Sequence, residues 1–262
     1  MIKIFKKQKL AIFCAVIFAL FTTTNLFSQE SDLEGKVRVN DINAVKELIA
    51  SGVNINQQDE TNGYTPLMEA CYRNYKEMAK LLISEGADIN HQGKTNGHTS
   101  LIMACNFNYV ELAKLLISEG ADINIRGKDG SSALIAAGAN FQELVELLLS
   151  KGADVNAKMV DGTGVFSQCI RGILYEDVTL ELAEILLSKG VNVDEAPSSE
   201  TIKGYTSLIL SAMNNKEELV RFLIKNGADV NAKTGNGSTA LSFAEKMEYQ
   251  NIIEILKANG AK

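Results

Sequence analysis

The chain has 262 residues, 46% of them hydrophobic and 22% charged, with a formal net charge of −6. Those proportions exclude a disordered chain and a polytopic membrane protein. The acidic balance argues against nucleic acid and anionic lipid surfaces as partners, since both repel a negative body.

At the amino terminus, Lys3, Lys6, Lys7 and Lys9 precede an unbroken apolar run, Leu10 to Phe21, and then a polar, mostly small-residue stretch, Thr22 to Ser28. That order predicts a secretory signal peptide over 1–28, cleaved after Ser28. The apolar run falls short of the roughly 20 residues that span a bilayer, so stable membrane insertion is not expected. Cys14 is preceded by Phe13 rather than a small residue, which argues against a lipoprotein site. Cleavage would leave 22 basic against 32 acidic residues, a mature charge of −10, in a protein of the periplasm or the medium.

From residue 31 onward the chain repeats itself. The segment 31–62 carries Val45-Lys46-Glu47-Leu48-Ile49 and Gly52-Val53-Asn54-Ile55-Asn56. Later segments open on Gly63-Tyr64-Thr65-Pro66-Leu67, Gly97-His98-Thr99-Ser100-Leu101, Gly130-Ser131-Ser132-Ala133-Leu134, Gly204-Tyr205-Thr206-Ser207-Leu208 and Gly237-Ser238-Thr239-Ala240-Leu241. A second phrase follows each in register: Gly86-Ala87-Asp88-Ile89-Asn90, Gly120-Ala121-Asp122-Ile123-Asn124, Gly152-Ala153-Asp154-Val155-Asn156 and Gly227-Ala228-Asp229-Val230-Asn231. Within one unit, Thr65 is placed to cap a helix whose first residue is Pro66, and Leu67, Ala70 and Cys71 share one face. Met78, Leu81 and Leu82 give a second apolar face at helical spacing, and Gly86 ends that helix. The Asx pairs after each such glycine predict local turns rather than calcium ligation.

These phrases and their period resemble the ankyrin repeat. The resemblance covers the whole of 31–262, in units near 31–62, 63–96, 97–129, 130–161, 162–203, 204–236 and 237–262. It implies an all-α solenoid of stacked helix-turn-helix units with short β-hairpin fingers, capped by the first and last units. The histidine that the family carries after Thr-Pro-Leu is replaced by Met68, Ile102, Ile135, Ile209 and Ser242, so apolar packing is expected to stand in for its hydrogen bonds. The unit 162–203 is irregular: Gly162 and Gly190 are 28 apart where neighbouring units have 22 or 23, and Gly190 and Gly204 are 14 apart instead of 10 or 11. Extra residues therefore fall near 171–178, between the helices, and near 195–202, in the finger. They read either as functional additions or as tolerated loop drift.

No catalytic motif is present, and both histidines, His91 and His98, fall on one finger without an acidic or cysteine cluster, so no metal and no cofactor are expected. Cys71, Cys105 and Cys169 read as small apolar core residues. The resemblance implies a non-catalytic, monomeric scaffold that binds a protein through its concave face and fingers. Carried over position by position, the contacting residues are Tyr64, His98 and Tyr205 after the opening glycines, and Tyr72, Arg73, Asn106 and Phe107 late in the first helices. Tyr64 and Tyr205 have the alternative of packing on adjacent fingers. An inhibitor or immunity protein is the neighbouring reading, and an enzyme with its site in 162–203 a more distant one. A deep pocket with convergent polar groups there would favour catalysis.

Overall fold

The computed structural model describes residues 33–139, 141–175, 179–200 and 202–262; the segment 1–28, where a signal peptide is expected, and the end of the first insertion, 176–178, lie outside them. The chain divides into two compact units, one ending at Thr95 and the other running Asn96–Lys262. Secondary structure among the described residues is helical, and none of these helices is long and apolar enough to cross a membrane.

The first unit holds a helical segment over 33–38, then α1 (Ile42–Ala50), and the pair α2 (Pro66–Tyr72) and α3 (Lys76–Ser84). Its core is made of Leu33, Val37, Val45, Leu67, Met68, Cys71, Met78 and Leu82, each 0 or 1% exposed. In the second unit the pairs are α4 (Ser100–Asn106) and α5 (Val110–Ser118), α6 (Ala133–Ala137) and α7 (Gln142–Ser150), and α8 (Val165–Tyr175) and α9 (Glu181–Ser188). They are followed by α10 (Ser207–Met213) with α11 (Glu217–Lys225), and α12 (Ala240–Lys246) with α13 (Gln250–Ala258). Each pair exposes an apolar stripe that it cannot bury alone, so within each unit neighbouring pairs shelter one another. Cys105 and Cys169 join this core, where burial pushes both thiols up to about 12.

Five first helices begin in the same way. The hydroxyls of Thr65, Thr99, Ser132, Thr206 and Thr239 accept from the backbone N–H of Met68, Ile102, Ile135, Ile209 and Ser242 at 3.2–3.4 Å. Those acceptor-bonded residues are the ones that replace the family's histidine. Met68, Ile102, Ile135 and Ile209 are buried, each contributing about 1.5–3 kcal/mol of apolar transfer. Ser242 instead returns its own hydroxyl to Thr239 N at 2.9 Å and closes a reciprocal cap.

The fingers differ from the hairpins that the resemblance implies. Among the described residues they are turns, with one isolated antiparallel bridge, Lys158 to Gly164. A four- or five-residue excursion closes on a single cross-bond, such as Met159 N to Thr163 O at 2.8 Å, and has no length for a ladder. Order comes from the neighbouring repeat instead. In the second unit the tips bond in sequence, Lys128 N to Asn96 O, Val160 N to Asp129 O, Ser198 N to Asp161 O and Gly235 N to Lys203 O, at 2.7–2.8 Å. The Asx pairs share the work. Asp122, Asp154 and Asp229 accept from the N–H two residues on, while Asn124 and Asp194 accept from Asp154 N and Asp229 N of the next repeat.

Candidate functional site

In the first unit, Gly63 with φ +72° turns the chain so that Tyr64 lies against the end of α2, its ring centroid 6.0 Å from that of Tyr72. Burial pushes the Tyr64 phenol up, helped by Tyr72 and Glu69. Tyr72, the last residue of α2, remains 43% exposed. Arg73 is committed inward: its Nε donates to Glu69 Oε1 at 2.6 Å, and Glu69 is only 2% exposed. Arg38 approaches the same carboxylate at 3.5 Å and also pairs with Glu34 at 2.5 Å. Beside them the carboxyl groups of Glu34 and Asp59 share a hydrogen bond. Burial, with the hydrogen bond and charge of Asp59, pushes Glu34 up to about 7, whereas the hydrogen bond with Glu34 holds Asp59 well below the usual carboxylate range. This cluster was not anticipated. Its signal is Glu69, a carboxylate inside the otherwise apolar run from Pro66 to Cys71.

The second unit holds the other predicted contact residues. His98 is half-buried and its Nε2 sits 3.0 Å from Ser131 Oγ and 3.8 Å from Asp129 Oδ1, so the ring ties one finger to the next. His91, in the first unit, similarly meets Gln58 Nε2 at 2.8 Å. Among the described residues, no group of three potential metal ligands comes together. Asn106 ends α4 and is exposed; Phe107 follows it, 46% exposed, its ring stacked on Tyr109 at 5.6 Å. Tyr205 reaches the next repeat, 6.0 Å from the Phe243 ring.

The irregular repeat departs from its neighbours at its first residues. Gly164 stands where the others carry a capping Ser or Thr, so the start of α8 has no hydroxyl of its own. The carboxylate of Glu195, from the finger insertion, occupies the vacated space: Oε1 accepts from Gly164 N at 2.9 Å, Ser167 N at 3.4 Å and Ser167 Oγ at 2.9 Å. A Cβ at Gly164 would collide with that oxygen. Glu195 is 4% exposed, and a charge so buried is sustained by these donors, by the helix N-terminus and by Lys158 Nζ at 3.8 Å from Oε2. The sequence signal was available: a missing cap at Gly164, and an acidic residue at the finger position that is Gln57, His91, Ile125, Ala157 or Ala232 in the other repeats.

The residue insertion near 171 does not loop out at once. It lengthens the first helix, α8 having 11 residues where α2, α4, α10 and α12 have 7. The added turn is held tightly, since a Cβ at Gly172 would overlap the Ala139 carbonyl oxygen. The turn carries Leu174 and Tyr175 toward Pro197 and Ile202 of the finger insertion, and a cleft of about 690 Å³ lies between them. Arg171, Asp161, Thr163, Ser167, Ser207 and Tyr205 complete its lining. Both insertions thus meet at one place. Its polar groups are hydroxyls, one carboxylate and one guanidinium, and the Ser167 hydroxyl is already donated to Glu195.

Comparison with known proteins agrees with the repeat seen here. The family model "Ankyrin repeats (3 copies)" matches residues 35–127, 88–159 and 173–262. The chain is also 31% identical over 86 residues to Protein glp-1 of Caenorhabditis elegans, a match that takes in 31% of this chain and 7% of that protein.

Proposed function

Because the chain belongs to the ankyrin repeat family, whose repeats form a protein–protein interaction module, we propose that it is an exported, non-catalytic scaffold that docks a protein partner on its fingers and on the ends of its first helices. The observation that carries this reading is the presence of large aromatic side chains held exposed at the ends of two first helices: Tyr72 at 43% and Phe107 at 46%. Burying a side chain of this kind against a partner supplies much of an interface's affinity. Capped helices and cross-bonded fingers already hold these groups in place, so little ordering entropy is lost on docking. Binding rather than turnover is supported by the employment of the polar groups, with both histidine rings engaged by fingers and the Ser167 hydroxyl engaged in a helix cap.

Export is supported by the basic, apolar and small-residue order of 1–28, and a monomer in the periplasm or medium is the form proposed. The test expresses the full chain with a carboxyl-terminal tag, fractionates the cells and measures the mass of the amino-terminal peptide. The expected product is extracytoplasmic and begins near Gln29; a cytoplasmic, uncleaved chain overturns export. Cross-linking capture is then compared between this protein and the Tyr72→Ala/Phe107→Ala variant. Unchanged capture at unchanged helical content overturns the placement of the binding face.

A further inference from the structure

We propose that the cleft between the added turn of α8 and the finger insertion is a docking site for an extended peptide segment that presents a large apolar side chain beside a single carboxylate. This rests on the reading of the chain as a protein-binding scaffold, and it names the chemistry that one part of that scaffold selects.

Three observations converge on it. The two insertions are separate in sequence, yet Leu174 and Tyr175 from one face Pro197 and Ile202 from the other across the same 690 Å³ space. Tolerated loop drift gives no reason for the two to meet. Each insertion is also fastened: Gly172 lies against the Ala139 carbonyl, and Glu195 is locked to the start of α8, so the walls are preformed. Apolar surface is left in the open, with Tyr175 at 67% and Ile202 at 39% exposure. Tyr205, one of the aromatics singled out from the sequence, completes the apolar wall.

The charge pattern selects the occupant. Among the described residues, Arg38, Arg73 and Arg221 each pair with a carboxylate, and Arg126 bonds the Gly130 carbonyl. Arg171 lies in the cleft, exposed, with no such partner among those residues. In a chain with 32 acidic and 26 basic residues, a guanidinium that lines a partly aromatic cleft and pairs with no carboxylate among the described residues is placed for a carboxylate from outside. Asp161 lines the same cleft and repels a doubly charged phosphate more than a singly charged side chain. Its oxygens and the Thr163 and Ser207 hydroxyls offer hydrogen-bonding groups for a peptide backbone. The open cleft admits a strand-like segment rather than enclosing a small molecule.

The test pans a phage library of random short peptides on the immobilised mature chain, with the Arg171→Gln protein as counter-selector. Arg171 is exposed and unpaired among the described residues, so this change leaves the fold intact. Recovered peptides are expected to share Asp or Glu within a few positions of a large apolar residue. By fluorescence anisotropy, binding of one such synthetic peptide should weaken by about tenfold on Arg171→Gln, and by a similar factor when its own carboxylate is replaced by the amide, with no further loss when both are changed. Ile202→Ala should weaken it too, and Phe107→Ala should not. Recovery of peptides without an acidic residue, of none that distinguish Arg171→Gln from the parent, or of binders that require phosphate overturns the proposal. If Tyr72→Ala/Phe107→Ala abolishes capture of a partner while Arg171→Gln leaves peptide binding unchanged, this site fails and the scaffold reading stands. Loss of all capture and of all peptide recovery by the parent protein fails both.

Discussion

Gly164 and Glu195 show how one position reshapes another 31 residues away. Removing a side chain from the cap position opens a space, and a carboxylate fills it and performs the capping. Glu195→Ala should destabilise the second unit by about 1–3 kcal/mol, since three donors lose their acceptor. Gly164→Thr alone should also destabilise it, because the new Cβ meets the carboxylate oxygen. The double change rebuilds the hydroxyl cap of the other repeats, so chemical denaturation should show a double-mutant loss smaller than the sum of the singles. Simple additivity would mean that the two residues act separately.

The acid pair in the first unit makes a different kind of prediction. Glu34 has its folded pKa raised from 4.5 to about 7, so its protonated form is the one that the fold favours. Its contribution is therefore complete below pH 4.5 and is lost as pH rises toward 7. Asp59 has its folded pKa lowered, and its contribution is present above the usual carboxylate range and lost in acid. With Arg38, Glu69 and Arg73 around the pair, the first unit should melt at a lower temperature at pH 8 than at pH 5. Glu34→Gln, which keeps a donor without the charge, should flatten that difference. An unchanged slope in the variant would assign the pH dependence to other groups.

At the scale of elements, the turns joining the two helices of a pair are set by left-handed residues. Asn74, Asn108 and Asn215 hold φ of 53–58° there, a conformation that Asn tolerates well. The last pair has Glu248 at φ 59° instead. Glu248→Gly relieves a left-handed cost of about 1–2 kcal/mol that exceeds the chain entropy glycine adds, about 0.4–1 kcal/mol, so it should raise stability, read as a higher denaturation midpoint at unchanged slope. The added turn of α8 predicts the opposite sign at Gly172. Gly172→Ala drives a methyl into the Ala139 carbonyl and should cost about 1–3 kcal/mol, with weaker binding of any peptide that needs Tyr175. A neutral Gly172→Ala would show that the turn is free to move.

On the scale of the whole molecule, the second unit is a run of helix pairs in which each finger tip bonds its neighbour and each apolar stripe is covered by the next. Stability in such an array is a sum of local terms and nearest-neighbour terms. Phe166, fully buried in the irregular repeat, sits in the middle of that run. Phe166→Ala should cost about 3–5 kcal/mol and split the unfolding of this unit into two phases, because the pairs on either side lose their shared neighbour. A single sharp transition would mean that the coupling between pairs exceeds the loss at one of them.

Much of this was written in the chain itself. The repeat period, the caps at Thr65, Thr99, Ser132, Thr206 and Thr239, the helix-ending glycines and the buried replacements Met68, Ile102, Ile135 and Ile209 follow from local chemistry: spacing, hydroxyl position and the conformational freedom of glycine are properties of a few adjacent residues. The positions of the two insertions were legible for the same reason, as changes in the distance between glycines. That the insertions close on one cleft, that Arg73 turns to Glu69 while Arg171 pairs with no carboxylate among the described residues, and that Glu195 caps a helix 31 residues before it were decided only in three dimensions. Each depends on which side chains share a space after stacking, and a buried carboxylate or a guanidinium takes its role from the neighbours that the fold supplies, not from those beside it in sequence.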